Sequence, residues 1–293
     1  MSGMDDQRVE FMIKIREYRQ TFVQGLLPVY DAMEAENFFH LALEHFRGLK
    51  RTDIALHPDL YFDQDELVYW NHLRSDLLAE KPIQYLLGKT HFYGMEFRVN
   101  TNVLIPRPET EELVEWIIGE NINTENLSVL DIGTGSGCIA IALAKHLTNA
   151  KVSAIDVVEG ALAIAAENAA HNQVDVNFII KNILECDDLE HNYDIIVSNP
   201  PYVRELEKHE IRKNVLDNEP HLALFVEDSD PLLFYRKISS LAMMSLRPGA
   251  KLYFEINQYL GAETVNLLEI AGFSDIELKQ DIYGNERMIR AIR

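Results

Sequence analysis

The chain has 293 residues, 47% hydrophobic and 25% charged, a length and composition that suit two globular domains and exclude a fibrous or disordered protein. Its formal charge of −20 argues against a nucleic-acid partner: residues 1–100 carry 11 basic and 16 acidic side chains and residues 101–293 carry 16 and 31, so neither part offers the Lys and Arg excess that phosphate neutralisation needs. The polar stretch Met1–Glu10, the lack of an apolar run of about 20 residues, and only two cysteines (Cys138 and Cys186, in no CxxC pair) oppose export, a membrane span, a disulfide framework or a zinc site, and the cytoplasm is expected.

From Val29 to Phe46 the apolar positions Ala32, Ala35, Phe38, Phe39, Ala42, Leu43 and Phe46 recur every three or four residues, which predicts an amphipathic helix. His40 and His45 on it, five apart, read as surface side chains rather than metal ligands, and no metal is expected. A second helix begins at Asp63, an N-cap with Glu66 three residues on, and runs through Leu67, Trp70, Leu73 and Leu77 until Pro82 stops it. Residues 1–85 thus read as a small helical bundle. Residues 86–107 read as a β-hairpin connector, with Asn100-Thr101-Asn102 as the turn between Phe97-Arg98-Val99 and Val103-Leu104-Ile105. Pro108 then opens a helix whose first turn carries Glu109, Glu111 and Glu112.

Within residues 108–293 strands and helices alternate. Strands are expected at Leu127–Asp131, Val152–Asp156, Phe178–Ile180, Tyr193–Ser198, Lys251–Ile256, Ile276–Leu278 and Met288–Ile292. Seven such strands with helices between them predict an α/β, Rossmann-like domain built on a mostly parallel sheet.

The first of these strands leaves through Asp131-Ile132-Gly133-Thr134-Gly135-Ser136-Gly137 into a helix. Three glycines there let a ligand lie against bare main chain at the carboxyl edge of the sheet, although a tight turn demands glycines too. A dinucleotide loop would place a third glycine where Cys138 stands, and a Walker loop would end in Gly-Lys-Ser/Thr; neither is present, so a ligand without phosphates is expected. Asp156 ends the next strand, 25 residues after Asp131, where a carboxylate can accept from both hydroxyls of a ribose or cap the following helix. Asn182 and Ile183 end the third strand. They can meet an adenine amine and pack on its ring, or form a surface turn.

Asn199-Pro200-Pro201-Tyr202, after the apolar strand Tyr193–Ser198, is the most specific signal in the chain. Two prolines fix the backbone and remove two donors, so the local carbonyls and the Asn199 side-chain oxygen are left as acceptors for a substrate NH2. An amide or aryl amine nitrogen has a delocalised lone pair, and accepting both of its N–H bonds orients it for in-line attack on a methyl group. Alignment of that kind is worth roughly 7–11 kcal/mol. Tyr202 is expected to cover the planar substrate group or lie near a methylsulfonium.

These residues resemble the PrmC/HemK family, the N5-glutamine methyltransferases of class I peptide-chain release factors. The likeness runs from about Pro82 to the end and rests on Lys81-Pro82-Ile83-Gln84-Tyr85-Leu86-Leu87-Gly88, Phe92-Tyr93-Gly94-Met95-Glu96-Phe97, Leu104-Ile105-Pro106-Arg107-Pro108-Glu109-Thr110-Glu111 and Glu219-Pro220-His221-Leu222-Ala223-Leu224, besides the glycine loop and the NPPY tetrapeptide. It implies S-adenosyl-L-methionine as cofactor, with Asp131 and Gly133, Thr134, Gly135, Ser136 and Gly137 at its methionine end, Asp156 on the ribose, Asn182 and Ile183 flanking the adenine, and Asn199, Pro200, Pro201 and Tyr202 gripping the glutamine of a Gly-Gly-Gln loop. It also implies that residues 1–85 dock the release factor, that residues 108–293 are the methyltransferase domain, and that the enzyme acts as a monomer without nucleic-acid or membrane contact. Two departures stand out: the family usually has Asp and an aromatic where Asn182-Ile183 stand, and Gly where Asn257 follows Glu255-Ile256. The competing readings are methylation of another protein glutamine, such as one in a ribosomal protein, methylation of a flipped-out nucleic-acid base through the same tetrapeptide, and a noncatalytic module that retains a cofactor pocket.

Overall fold

The computed structural model describes residues 12–293; the stretch Met1–Glu10 lies outside the described residues. The helical period read after Val29 becomes a helix over Ala32–Arg47, capped by Asp31, whose carboxylate accepts from the Glu34 N–H, and closed by Gly48 at φ 64°. Asp63 and Glu66 form the expected reciprocal capping box of the helix Gln64–Leu78. The helix Ile15–Leu26 is additional to those expected, and with the short helix Arg51–Leu56 it completes the bundle. Trp70 anchors the bundle core, with Phe39, Phe62 and Phe22 at ring-centroid distances of 4.9, 5.0 and 5.5 Å. Burying each such ring contributes about 1.5–3 kcal/mol.

The chain forms two compact units, one ending at Leu87 and one running from Gly88 to Arg293. The second opens with a hairpin placed differently from the one expected. Its strands are Lys89–Phe92 and Met95–Arg98, and it turns at Tyr93-Gly94, where φ is 49° and 72°. Two consecutive positive φ values match the twist of a two-residue hairpin, and Gly94 tolerates them readily. Asn100–Asn102 forms a separate turn, with Asn100 Oδ1 accepting from the Asn102 N–H. Val103–Ile105 is no strand, because the Val103 N–H goes to the Asn100 carbonyl and the Ile105 N–H to the Glu219 carboxylate.

A seven-stranded sheet follows. Numbering its strands in chain order gives β1 (Ser128–Ile132), β2 (Lys151–Asp156), β3 (Asn177–Ile180), β4 (Tyr193–Ser198), β5 (Leu246–Glu255), β6 (Ser274–Gln280) and β7 (Glu286–Ile292). They lie in the spatial order β3-β2-β1-β4-β5-β7-β6, and only β7 runs against its neighbours. Both faces are covered. Val129, Ile195, Val197 and Tyr253 pack into one core with Leu113, Ile117 and Ile141, whereas Leu130, Ile196, Leu252 and Phe254 pack into the other with Tyr235 and Ile238. Burial on both faces explains why these strands read as continuous apolar runs without alternation. The strand order reverses between β1 and β4, which opens a crevice beyond their carboxyl ends. Among the described residues no helix is long and apolar enough to cross a membrane.

Candidate active site

The loop after β1 is tied down from below and open above. The Gly133 and Thr134 N–H groups both donate to the Ile155 carbonyl, at 2.9 and 3.1 Å, and the Gly135 N–H donates to Asp156 Oδ2 at 2.8 Å. The other oxygen of Asp156 accepts from the Val158 N–H at 2.9 Å, so this one carboxylate joins the glycine loop to the turn after β2. Gly137, at φ 81°, could not carry a side chain in place: a Cβ there would lie 2.9 Å from Ile141 Cδ1 and 3.1 Å from Ala165 Cβ. Gly135 is favoured by its backbone angle rather than by crowding. With φ at 54°, a Cβ on it would meet nothing within 4 Å, because the loop faces open space.

Asp131 is wholly buried beneath this loop and accepts from Thr134 Oγ1 at 2.6 Å. Burial pushes its carboxyl up to about 7 against the pull of that hydroxyl, and its Oδ1 is left without a hydrogen-bond partner. The nearby Cys138 thiol is pushed up to about 12 by burial and by the Asp131 charge, which leaves it inert as a nucleophile.

The crevice holds a cavity of about 270 Å³. Gly133, Thr134, Gly135, Ser136, Asp156, Asn182, Ile183, Asn199, Pro200 and Pro201 all line it, whereas Asp131, Gly137 and Tyr202 do not. Asn182 also makes a turn: its Oδ1 accepts from the Leu184 N–H at 3.1 Å and its Nδ2 donates to Glu185 at 2.8 Å, capping the short 3-10 helix Ile183–Glu185. Asn182 thus forms the turn read from the sequence and also lines the cavity.

β4 delivers the tetrapeptide to the opposite wall, and the Ser198 hydroxyl donates to the Ile132 carbonyl at 2.7 Å, locking the end of β4 to β1. Asn199 Nδ2 donates to Thr110 Oγ1 at 3.3 Å, and the Thr110 hydroxyl donates in turn to Glu255 Oε2 at 2.6 Å. Tyr202, read from the sequence as covering the substrate group or lying near a methylsulfonium, does not line the cavity. Its hydroxyl donates to Glu255 Oε1 at 3.0 Å, because a carboxylate only 1% exposed needs donors and Tyr202 supplies one. Burial raises the Glu255 pKa, while the Thr110 and Tyr202 hydroxyls and the Arg287 guanidinium pull it back. Burial and the adjacent Glu255 also raise that of Tyr202. Asn257, where the family usually has Gly, fastens the same segment: its Nδ2 donates to the Tyr202 carbonyl at 2.9 Å and to Glu207 Oε2 at 2.8 Å.

Several residues that shape the site received no individual role from the sequence. Glu219, 4% exposed, accepts from Arg107 Nη2 at 2.6 Å and from the Ile105 N–H at 3.2 Å, so the Pro106-Arg107-Pro108 segment and the Glu219-Pro220 segment close the cavity together. Thr110 and Glu255 join the tetrapeptide in the same way. The signal was present in the motifs that hold Arg107, Thr110 and Glu219. The pairing was hidden, since the partners are 53 to 145 positions apart. Away from the site, His40 bonds Glu36 on its own helix at 3.2 Å. Among the described residues no group of three or more His, Cys, Asp or Glu is placed to hold a metal ion.

Residues 115–222, which include the glycine loop and the tetrapeptide, match the methyltransferase small domain family. The release factor glutamine methyltransferase of Flavobacterium psychrophilum is 60% identical over 279 residues, spanning 94% of this chain and 98% of that protein. That of Bacteroides thetaiotaomicron is 45% identical, spanning 92% and 97%. Among solved structures, a methyltransferase from Pyrococcus furiosus superposes with a TM-score of 0.50 at 19% identity, covering 69% of this chain and 90% of that one, a likeness of fold alone. With its fold, its cavity and near full-length identity to these proteins in agreement, the chain belongs to the release factor glutamine methyltransferase family.

Proposed function

We propose that this enzyme methylates the side-chain amide nitrogen of the glutamine in the Gly-Gly-Gln loop of a class I release factor, with S-adenosyl-L-methionine as methyl donor. The observation that carries this reading is the wall formed by Asn199, Pro200 and Pro201. The prolines have no N–H, and among the described residues the Asn199 side chain bonds only through Nδ2, so the wall offers acceptors to a ligand that brings donors. A primary amide brings two. Accepting them fixes the plane of the amide and raises the electron density on its nitrogen, and no strong base is required.

The other wall fits the cofactor. Gly133 and Gly135 leave open space where side chains would stand, and Asp156 and Ile183 both line the cavity. Bound there, S-adenosylmethionine supplies an electrophilic methyl group on a sulfonium that leaves as a neutral thioether. The loop would hold its methionine end, Asp156 its ribose, and Asn182 with Ile183 its adenine. The fully buried Asp131 acts from beneath by holding Thr134. The formal charge of −20 and the release-factor substrate favour the cytoplasm without a nucleic-acid or membrane partner.

Asp156→Ala is expected to weaken binding of S-adenosylhomocysteine by about 1.5–3 kcal/mol, the scale of a charge-assisted hydrogen bond. Part of that loss would come through the loop, since the Gly135 N–H loses its acceptor. Isothermal calorimetry measures it, and unchanged affinity would reduce Asp156 to a structural tie.

The docking role of the helical bundle can be tested by removing residues 1–87. The remaining unit carries both sheet-face cores and is expected to bind cofactor normally, while methylation of an intact release factor falls at least tenfold, the loss of about 1.4 kcal/mol of recognition. Full activity of the fragment on the intact factor would count against docking by the bundle.

A further inference from the structure

Thr110 is the third residue of the helix that Pro108 opens, is 2% exposed, and lines the cavity beside Asn199. Its hydroxyl has two partners, Glu255 Oε2 at 2.6 Å and Asn199 Nδ2 at 3.3 Å, and a hydroxyl has one proton to give. In its carboxylate form, which the Arg287 guanidinium and the two hydroxyls favour against burial, Glu255 can only accept. Glu255 takes the Tyr202 hydroxyl on Oε1 and the Thr110 hydroxyl on Oε2, so the proton of Thr110 is committed away from Asn199. A lone pair is what faces Asn199. Only the NH2 end of the asparagine amide can meet a lone pair, and its carbonyl end must therefore turn away from Thr110.

The two ends of an asparagine amide are nearly equal in size, so packing alone does not choose between them. The wrong choice would be costly here, because a flipped Asn199 would set its own NH2 against the NH2 of the substrate. We infer that Thr110, held by the buried Glu255, is a positioning residue that sets the direction of the Asn199 amide and keeps its carbonyl oxygen available to the substrate. This rests on the reading of Asn199 as the amide acceptor. It also gives a physical reason for the threonine in the Pro-Arg-Pro-Glu-Thr stretch and for the Glu255 that follows β5's apolar run: together they form a polarity lock on a residue 89 positions from Thr110 in sequence.

The test uses the full-length enzyme with an intact release factor and saturating cofactor. Thr110→Val keeps the branched shape and removes the hydroxyl, and kcat is expected to fall about tenfold, the scale of losing the one hydrogen bond that holds Asn199, with cofactor affinity within about twofold of the wild type. Thr110→Ser, which keeps the hydroxyl, is expected to recover most of the loss. A structural role would instead weaken cofactor binding along with turnover. In an Asn199→Ala background, adding Thr110→Val is expected to cost less than about a further twofold, because the residue through which Thr110 acts is already gone. Should the valine variant fail to fold, Thr110→Ala removes the same hydroxyl without adding bulk and is read in the same way. A kcat for T110V within about twofold of the wild type, a serine variant as slow as the valine one, or losses that multiply fully in the double mutant would each overturn the inference. Near-normal turnover of N199A would overturn the acceptor reading and this inference together, whereas a crippled N199A beside a fully active T110V would overturn this inference alone.

Discussion

Asn199→Ala is expected to lower kcat about 100-fold or more and to leave S-adenosylhomocysteine affinity within a few fold, because the lost acceptor acts when the substrate nitrogen is being aligned for attack. The separation follows from the layout of the cavity. Asn199 stands on the β4 wall, while the glycine loop and Asp156 stand at the ends of β1 and β2 and are joined to each other through the Gly135 N–H rather than through Asn199. Alanine leaves Pro200 and Pro201 in place and frees only Thr110, which keeps its bond to Glu255. Single-turnover methylation of a purified release factor measures the chemical step directly. A rate close to that of the wild type would show that the tetrapeptide does not grip the amide through this side chain.

What could be read from the sequence was whatever rests on local pattern. The capping box of Asp63 and Glu66 involves residues three apart, and the apolar strands β1, β2, β4 and β5 declare burial on both faces by composition alone. The glycine loop was legible because Gly133, Gly135 and Gly137 each occupy a positive φ, and that requirement shows itself as glycine in one-dimensional text. The helix Ile15–Leu26 was not among those expected, although its buried Ile15, Tyr18, Phe22, Val23 and Leu26 keep the helical period. The hairpin turn was misplaced because Asn100-Thr101-Asn102 has turn composition and does form a turn, while the positive φ at Tyr93 is concealed by a residue seldom found there. The support of the site was not legible. Thr110 reaches Glu255 across 145 positions and Asn257 reaches the Tyr202 carbonyl across 55, and no local period reports such contacts. The bond from the Tyr202 hydroxyl to Glu255 was hidden for the same reason, because β5 brings that buried carboxylate beside it.

With radiolabelled S-adenosylmethionine and a cell extract, the enzyme is expected to label a protein of release-factor size, and protease but not nuclease should erase the signal. The acidic balance of the chain argues against the cationic surface that nucleic acid needs, and a protein glutamine requires none of the unstacking that a duplex base does. On a purified release factor, changing the Gly-Gly-Gln glutamine to glutamate is expected to abolish labelling. Two effects act together in that variant. The nucleophilic nitrogen is gone, and the carboxylate that replaces it brings acceptors to a wall whose Asn199 oxygen, Pro200 and Pro201 already offer none of the donors it would need. Label that survives in the glutamate variant would place the methyl group on another residue of the factor, and label sensitive to nuclease would move the substrate from protein to a nucleic-acid base.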